Sequence, residues 1–248
     1  MSTPQHDNSD IDVNERGAEV DGRPQVMNRR LFMQLLVFET RGELGAADAA
    51  QNLQAALERR KIACVLYADV NSPNGLAVLS WSEDPNYFVT QLRPALQAPE
   101  LHGLKQMREL TMLGRTYSSG YENDLQYWLL DRPRETALNE AWPWAVWYPL
   151  RRGGAFEKLE GREKAGILRE HAGIGKAYGA ADLAHDIRLA CHGLDANDNE
   201  FVIGLIGKDL HPLSHVVQAM RKTRQTAEFI VQMGPFFVGR ALYRSAGA

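Results

Sequence analysis

Two stretches of this chain, residues 30–118 and 144–245, carry the same succession of patterns, and a doubled unit constrains the fold more than any single motif. The first opens with LFMQLLVFET, an apolar run of strand length. It passes into LGAADAAQNLQAALERRK, an Ala-rich segment whose Leu53 and Leu57 mark one helical face. IACVLYADV and GLAVLSWSE follow as strands around NSPNG, a cluster of turn-forming residues. Asp84 and Pro85 cap and open a second helix, NYFVTQLRPAL, which breaks near Pro94. KQMRELTMLGRTYSS supplies the fourth strand, so the order is β-α-β-β-α-β.

After a connection containing the short helical piece DLQYWLLD, the order begins again. AVWYPLRR is a strand, residues 159–178 a helix, DIRLACHG and EFVIGLIGK strands around LDANDN, LSHVVQAMRKTRQTAEFIV a helix and GPFFVGRALYR a closing strand. The pattern predicts an α+β fold of two tandem ferredoxin-like halves, 29–118 and 144–248, joined by a linker at 119–143 and assembled as an α+β barrel. Each half has an antiparallel sheet with helices on one side and leaves the other sheet face to cover. Packing the two open faces together, or placing a flat ligand between sheet and helices, supplies that cover. Remaining edges and helical faces predict association of subunits, with Trp128, Leu129 and Leu130 of the linker as a candidate contact.

Residues 1–28 are polar, acidic and poor in apolar side chains, and the expectation for them is a disordered tail. A net charge of −3 provides no basic footprint for nucleic acid or an anionic membrane. No apolar run reaches the ~18 residues of a membrane span, and the N-terminus lacks the basic-then-apolar pattern of a secretory leader. The expectation is a soluble, cytoplasmic protein. Cys64 and Cys191 sit among apolar neighbours and read as small core residues rather than a disulfide framework.

Within the helix at 159–178, Ile167, Leu168, His171, Ile174 and Tyr178 recur at spacings of three and four, which places His171 on the inward face. A buried imidazole needs a partner for its ring nitrogens, either another polar group or a metal. The sequence has no phosphate-cradling loop, no paired-cysteine zinc spacing and no nucleophile elbow. GIGKAYG follows a helix rather than a strand, the wrong context for a nucleotide fingerprint.

WYPL at 147–150, LREH at 168–171 followed by GIGKAY, GLD at 193–195 followed by EFV, MRKTRQT at 220–226 and GPFFVG at 234–239 occur in register. In their order and spacing they resemble the chlorite dismutase-like superfamily of haem proteins, which includes the coproheme decarboxylases, over residues 30–245. The resemblance implies haem b or coproheme held through iron by His171, with hydrogen peroxide as oxidant. Tyr148 matches the tyrosine that is oxidised to a radical and attacks a coproheme propionate. Arg221 and Thr226 match groups that grip propionates, as charge-assisted bonds would. Arg151, Arg152, Arg132 and Arg134 are further candidates.

Two departures from the family pattern stand out. Asp186, with His185 beside it, occupies the position of a distal arginine or glutamine, and the pair is expected to handle protons. Arg224 stands where the family has a Glu bonded to the proximal histidine, so Glu170 or Glu228 would have to substitute. The implied reaction is peroxide-dependent decarboxylation of coproheme. The alternatives are a haem peroxidase or chlorite-degrading enzyme, a haem-binding or transfer protein, and a haem-free structural relative. The resemblance also implies a homo-oligomeric ring, most often a pentamer.

Overall fold

The computed structural model describes residues 11–42 and 44–247. Its first elements correct the expectation of a disordered tail. β1 (Glu15–Val20) and β2 (Arg23–Met27) form an antiparallel hairpin, turned at Asp21 and Gly22 with φ of 52° and 72°. Two consecutive left-handed residues give the twist that a tight hairpin needs. Polar bonds dock it on the segment from residue 115 onward, and Met27 at its end packs on the barrel core. The Ala18 N–H donates to the Glu122 carbonyl at 2.8 Å, Gln25 Nε2 donates to the carbonyls of Ala18 and Glu122, and Glu15 accepts from the Ser118 N–H and from Arg115. Residues 1–10 of the expected tail lie outside the described residues.

The N-terminal half runs β3 (Phe32–Thr40), α1 (Ala46–Arg59), β4 (Cys64–Asp69), β5 (Gly75–Ser82), a π-helical turn at 88–92 leading into α2 (Arg93–Leu96), β6 (Leu104–Gln106) and β7 (Met112–Arg115). The break expected at Pro94 is a change of winding rather than an end. A second π-helical turn at 127–131 leads into α3 (Arg132–Leu138). The C-terminal half then runs β8 (Trp144–Arg152), α4 (Gly161–Ala180), β9 (His185–Ala190), β10 (Phe201–Gly207), α5 (Leu210–Met220), β11 (Ile230–Met233) and β12 (Phe237–Ser245). Among the described residues, no helix is long and apolar enough to cross a membrane.

Strand order is β7-β3-β5-β4 in one half and β12-β8-β10-β9 in the other, the same ferredoxin-like arrangement twice, with every pairing antiparallel. The halves join edge to edge. β4 pairs with β12 from Gly239↔Asp69 to Ser245↔Cys64, and β7 meets β9 through Arg115↔Ala190. Eight strands thus close into a barrel, which covers both open faces and pairs the edges that separate sheets would leave free.

Alternation along each strand sends one set of side chains inward. Met33, Tyr67, Trp81, Trp147, Ile187 and Phe237 fill the interior. Trp147 lies directly across from Gly204, and a Cβ at 204 would sit 2.5 Å from the indole ring. At the thin β7–β9 seam a Cβ on Gly114 would sit 2.6 Å from that of Leu189. The linker contributes to the same core. Leu129 and Leu130 are 1 % and 0 % exposed within it, which corrects their reading as a subunit contact. Cys64 and Cys191 are buried free thiols, as expected.

Outside the barrel the two helical layers differ. α1 packs Ala49, Leu53, Ala56 and Leu57 directly on the N-terminal sheet. α4 is longer, at 20 residues, yet only Ile167 is buried, and Phe201, Ile203, Phe236 and Met233 on the outer side of the C-terminal sheet are only partly covered.

Two measurements test this account. Gly204→Ala forces a methyl into the Trp147 ring and should lower stability by about 1–3 kcal/mol in urea denaturation. Glu122, 6 % exposed, accepts from Ser118 Oγ at 2.6 Å, from the Ser119 N–H and Oγ and from the Tyr121 N–H. Burial opposes its charge, but these bonds outweigh burial and hold the carboxyl below its ordinary value. Its stabilising contribution is therefore complete above the unfolded carboxyl value of about 4.3 and is lost as pH falls through the lower folded value. Glu122→Gln should cost about 1–3 kcal/mol at pH 7 and flatten the acid dependence of the urea midpoint.

Candidate active site

β8, β9 and β10 present their outward faces to α4 and α5. Tyr148 points out from β8 because its neighbour Trp147 points in, and its ring stacks on Phe236 with centroids 4.6 Å apart. Burial pushes the Tyr148 phenol well above its ordinary value. The Asp186 charge adds to this, and that of Arg221 opposes it. Tyr148 is thus a neutral phenol within the electrostatic reach of both groups.

His171 lies on the inner side of α4, half-buried, with Nδ1 3.4 Å from Thr223 Oγ1. Thr223 donates its own hydroxyl hydrogen to the Met220 carbonyl at 2.8 Å, so toward His171 it acts as an acceptor. In the tautomer whose Nδ1 donates to this oxygen, Nε2 keeps its lone pair. Burial, and next the charge of Arg188, lower the pKa of His171, which favours the neutral, ligating imidazole.

The expected substitutes for a carboxylate partner are otherwise engaged. Arg224 pairs with Glu163 at 2.8 Å and Glu228 at 2.9 Å, and donates its N–H to Glu170. It faces away from the histidine, whose partner is Thr223. Thr226 lies one turn further on, its hydroxyl 3.3 Å from that of Thr223, so it belongs to this hydroxyl pair behind His171.

On β9 the sequence reading needs correction. His185 precedes Asp186 and therefore points to the other side of the strand. It stacks on Trp142 at 3.6 Å and bonds Asp182 through Nε2, remote from the face that carries Tyr148. Asp186 faces the site but is not a free base. Arg132 donates to its Oδ1 at 2.7 Å, and Arg188 Nε lies 3.1 Å from Oδ2. Burial opposes the charge, yet the two arginines outweigh it and hold the carboxyl below its ordinary value.

Arg188 and Tyr117 are the residues that sequence reasoning missed. Arg188 shares the face of Asp186, two residues on, and the period of the strand would have found it. Tyr117 enters from beyond β7, across the barrel seam, and stands against Phe201 with centroids 5.4 Å apart. No local pattern marks it.

The remaining arginines divide. Arg221, at the end of α5, makes no ion pair among the described residues and acts electrostatically on Tyr148. Arg151 and Arg152 line a cavity of about 550 Å³ together with Lys164 and His192. Arg151 bonds Gln232 at 3.0 Å and lies 3.6 Å from the exposed Asp198. Arg152 is fixed by Glu200 and sandwiched between Phe156 and Phe201. Neither linker arginine is free to grip a carboxylate: Arg132 commits both Nη atoms to Asp186, and Arg134 pairs with Glu83 at 3.1 Å, on the N-terminal half.

The chemistry of this set fits haem. His171 offers one imidazole lone pair, and among the described residues no group of three or more His, Cys, Asp or Glu converges on a common point. A single protein donor suits an iron already held by a macrocycle. The loosely covered apolar surface under α4 suits a flat apolar ring, and Arg221 and Arg151 suit its carboxylates. On this arrangement, Thr223→Val should weaken haem binding by about 10-fold in a Soret titration, because the ring loses the acceptor that orients it.

A chlorite dismutase family model matches residues 46–242. Among solved structures, a haem-binding protein from Thermus thermophilus superposes with a TM-score of 0.68 at 18 % identity, covering 87 % of this chain and 92 % of its own. Chlorite dismutase from Candidatus Nitrospira defluvii, in complex with imidazole, superposes with a TM-score of 0.68 at 13 % identity, covering 88 % and 93 %. A tryptophan-to-phenylalanine mutant of that enzyme with cyanide gives 0.68 at 14 %, covering 88 % and 92 %. A search of curated proteins finds no match. With the family match running through most of its length, the chain belongs to the chlorite dismutase family.

Proposed function

We propose that this protein is a haem-dependent oxidoreductase that decarboxylates coproheme to haem b at the expense of hydrogen peroxide. The observation that carries the reading is His171, with Nδ1 against Thr223 Oγ1, above a sheet face that also holds the buried phenol of Tyr148. His171 would hold the iron, and Arg221 and Arg151 would hold propionates at the rim. Bound haem supplies the two-electron chemistry with peroxide. Each vinyl group formed then balances as one propionic acid and one peroxide giving one vinyl, one carbon dioxide and two waters.

The chain's own contribution begins with Tyr148. Its phenol stays protonated, so oxidation removes an electron and a proton together, and the resulting phenoxyl can take a hydrogen atom from a propionate side chain. Phe236, stacked on the ring, fixes its plane and shields it from water.

A second reading, chlorite degradation or general peroxidase activity, draws support from Arg188, a cation on the site face of β9 beside Asp186. A haem-binding or transfer role draws support from the neutral Thr223 behind His171, where a carboxylate would strengthen the ligand's push on the metal. Ring assembly, with five subunits by family resemblance, is part of the first reading, and sedimentation equilibrium measures it directly.

Optical titration of the protein with coproheme and with haem b, in wild type and His171→Ala, followed by peroxide and mass analysis, separates these readings. The expected result is His171-dependent coproheme binding and loss of two carboxyl groups per porphyrin, abolished in Tyr148→Phe with binding retained. Coproheme bound but left intact by peroxide would overturn the decarboxylase reading. No His171-dependent binding of either porphyrin would overturn the haem reading altogether.

A further inference from the structure

Arg132 opens α3, in the connection between the halves, yet its guanidinium reaches into the C-terminal sheet. Nη2 donates to Asp186 Oδ1 at 2.7 Å, Nη1 donates to the Asp186 carbonyl at 2.8 Å, and the guanidinium plane rests 4.9 Å from the Trp128 ring centre. A fork of this kind restrains both groups it holds, because the two bonds are made by one rigid plane. The Asp186 side chain therefore cannot turn without losing its bond to Arg132. Its other oxygen, Oδ2, points to Arg188 Nε at 3.1 Å.

The charged and titratable groups around Asp186 come from every element packed there. They are Arg132 from α3, Arg188 on β9 itself, Tyr117 from the segment after β7, Tyr148 from β8 and His171 from α4. Arg188 is the cation among them that faces the site, and its one ion pair among the described residues is with Asp186. Unrestrained, a long arginine side chain samples many rotamers, and holding it in one costs entropy that Asp186 and its anchor offset.

We propose that Arg132 is a positioning residue, which through Asp186 sets the Arg188 guanidinium on the sheet face covered by α4 and thereby sets the affinity of the site for small anionic ligands. The structural link, Arg132 to Asp186 to Arg188, stands on geometry alone. Its effect on anions rests on the haem reading above.

The test uses the full-length protein as Arg132→Gln, Arg132→Lys and Asp186→Asn, with circular dichroism to confirm folding. In protein labelled with carboxyl-¹³C aspartate, the Asp186 signal is assigned by its absence in Asp186→Asn and titrated without added haem. It should titrate below the ordinary carboxylate range in wild type, move up toward that range in Arg132→Gln and lie between in Arg132→Lys. In haem-loaded protein, fluoride should bind the ferric form about 10-fold more weakly in Arg132→Gln, with haem affinity unchanged within about 2-fold and partial recovery in Arg132→Lys. An Asp186 titration indifferent to Arg132 would overturn the structural link, and fluoride affinity equal to wild type in Arg132→Gln would overturn its consequence. If Arg132→Gln does not fold, Arg132→Lys carries the carboxyl titration, and Asp186→Asn, which should weaken fluoride by a similar factor, carries the anion comparison. Failure of His171-dependent haem binding would overturn the proposed function and with it the anion effect, while the carboxyl titration would still report on the link.

Discussion

Every strand edge in the two sheets must find a partner, and that requirement shapes the rest of the molecule. Two ferredoxin-like sheets end in four unpaired edges, each a row of backbone groups that would be costly to bury unpaired and prone to aggregation if left open. β4 with β12, and β7 with β9, satisfy all four within one chain. Closure fills the interior with large side chains from both halves and turns the remaining two faces outward, one under α1 and one under α4. The halves are equivalent in topology but not in cover. α1 seals its sheet, whereas α4 stands over an incompletely buried apolar surface, and the only histidine it carries is set on that side.

The elements of each half were legible because periods of two and of about 3.6 are written locally in the apolar residues. The closure was less so. A seam such as β7–β9, one bridge held open to close approach by Gly114, leaves no hydropathy signal. The N-terminal hairpin escaped for a related reason. Its docking is made by Gln25, Glu15 and backbone groups, so a segment that buries almost nothing apolar is nonetheless ordered against Glu122 and Ser118. Leu129 and Leu130 show the converse, since apolar residues in a linker mark burial without saying whether the partner is another subunit or the end of the chain's own barrel.

At the site, His171 was readable from its helical face and is half-buried against Thr223, although Leu168, expected on the same stripe, is 40 % exposed. His185 was not separable from Asp186 by sequence proximity, although neighbours on a strand face opposite ways and only one of them could belong to the site. The same alternation, carried one step further, leads to Arg188. The partner of His171 lay inside a motif already singled out, but one residue before the position that family resemblance suggested. A single-residue shift at the end of a helix turns Arg224 out to Glu163 and Glu228 and brings Thr223 under the imidazole.

Thr223 and Arg188 act on His171 in the same direction. A carboxylate at Nδ1 would share negative charge with the ring and make Nε2 a stronger donor, whereas a threonine oxygen already donating its proton to Met220 offers a neutral acceptor. Arg188, second to burial in lowering the basicity of the imidazole, withdraws from it further. Both leave Nε2 of His171 a weaker donor than a carboxylate partner would. Tyr148 lies on the sheet face beside these groups, buried, neutral and stacked on Phe236.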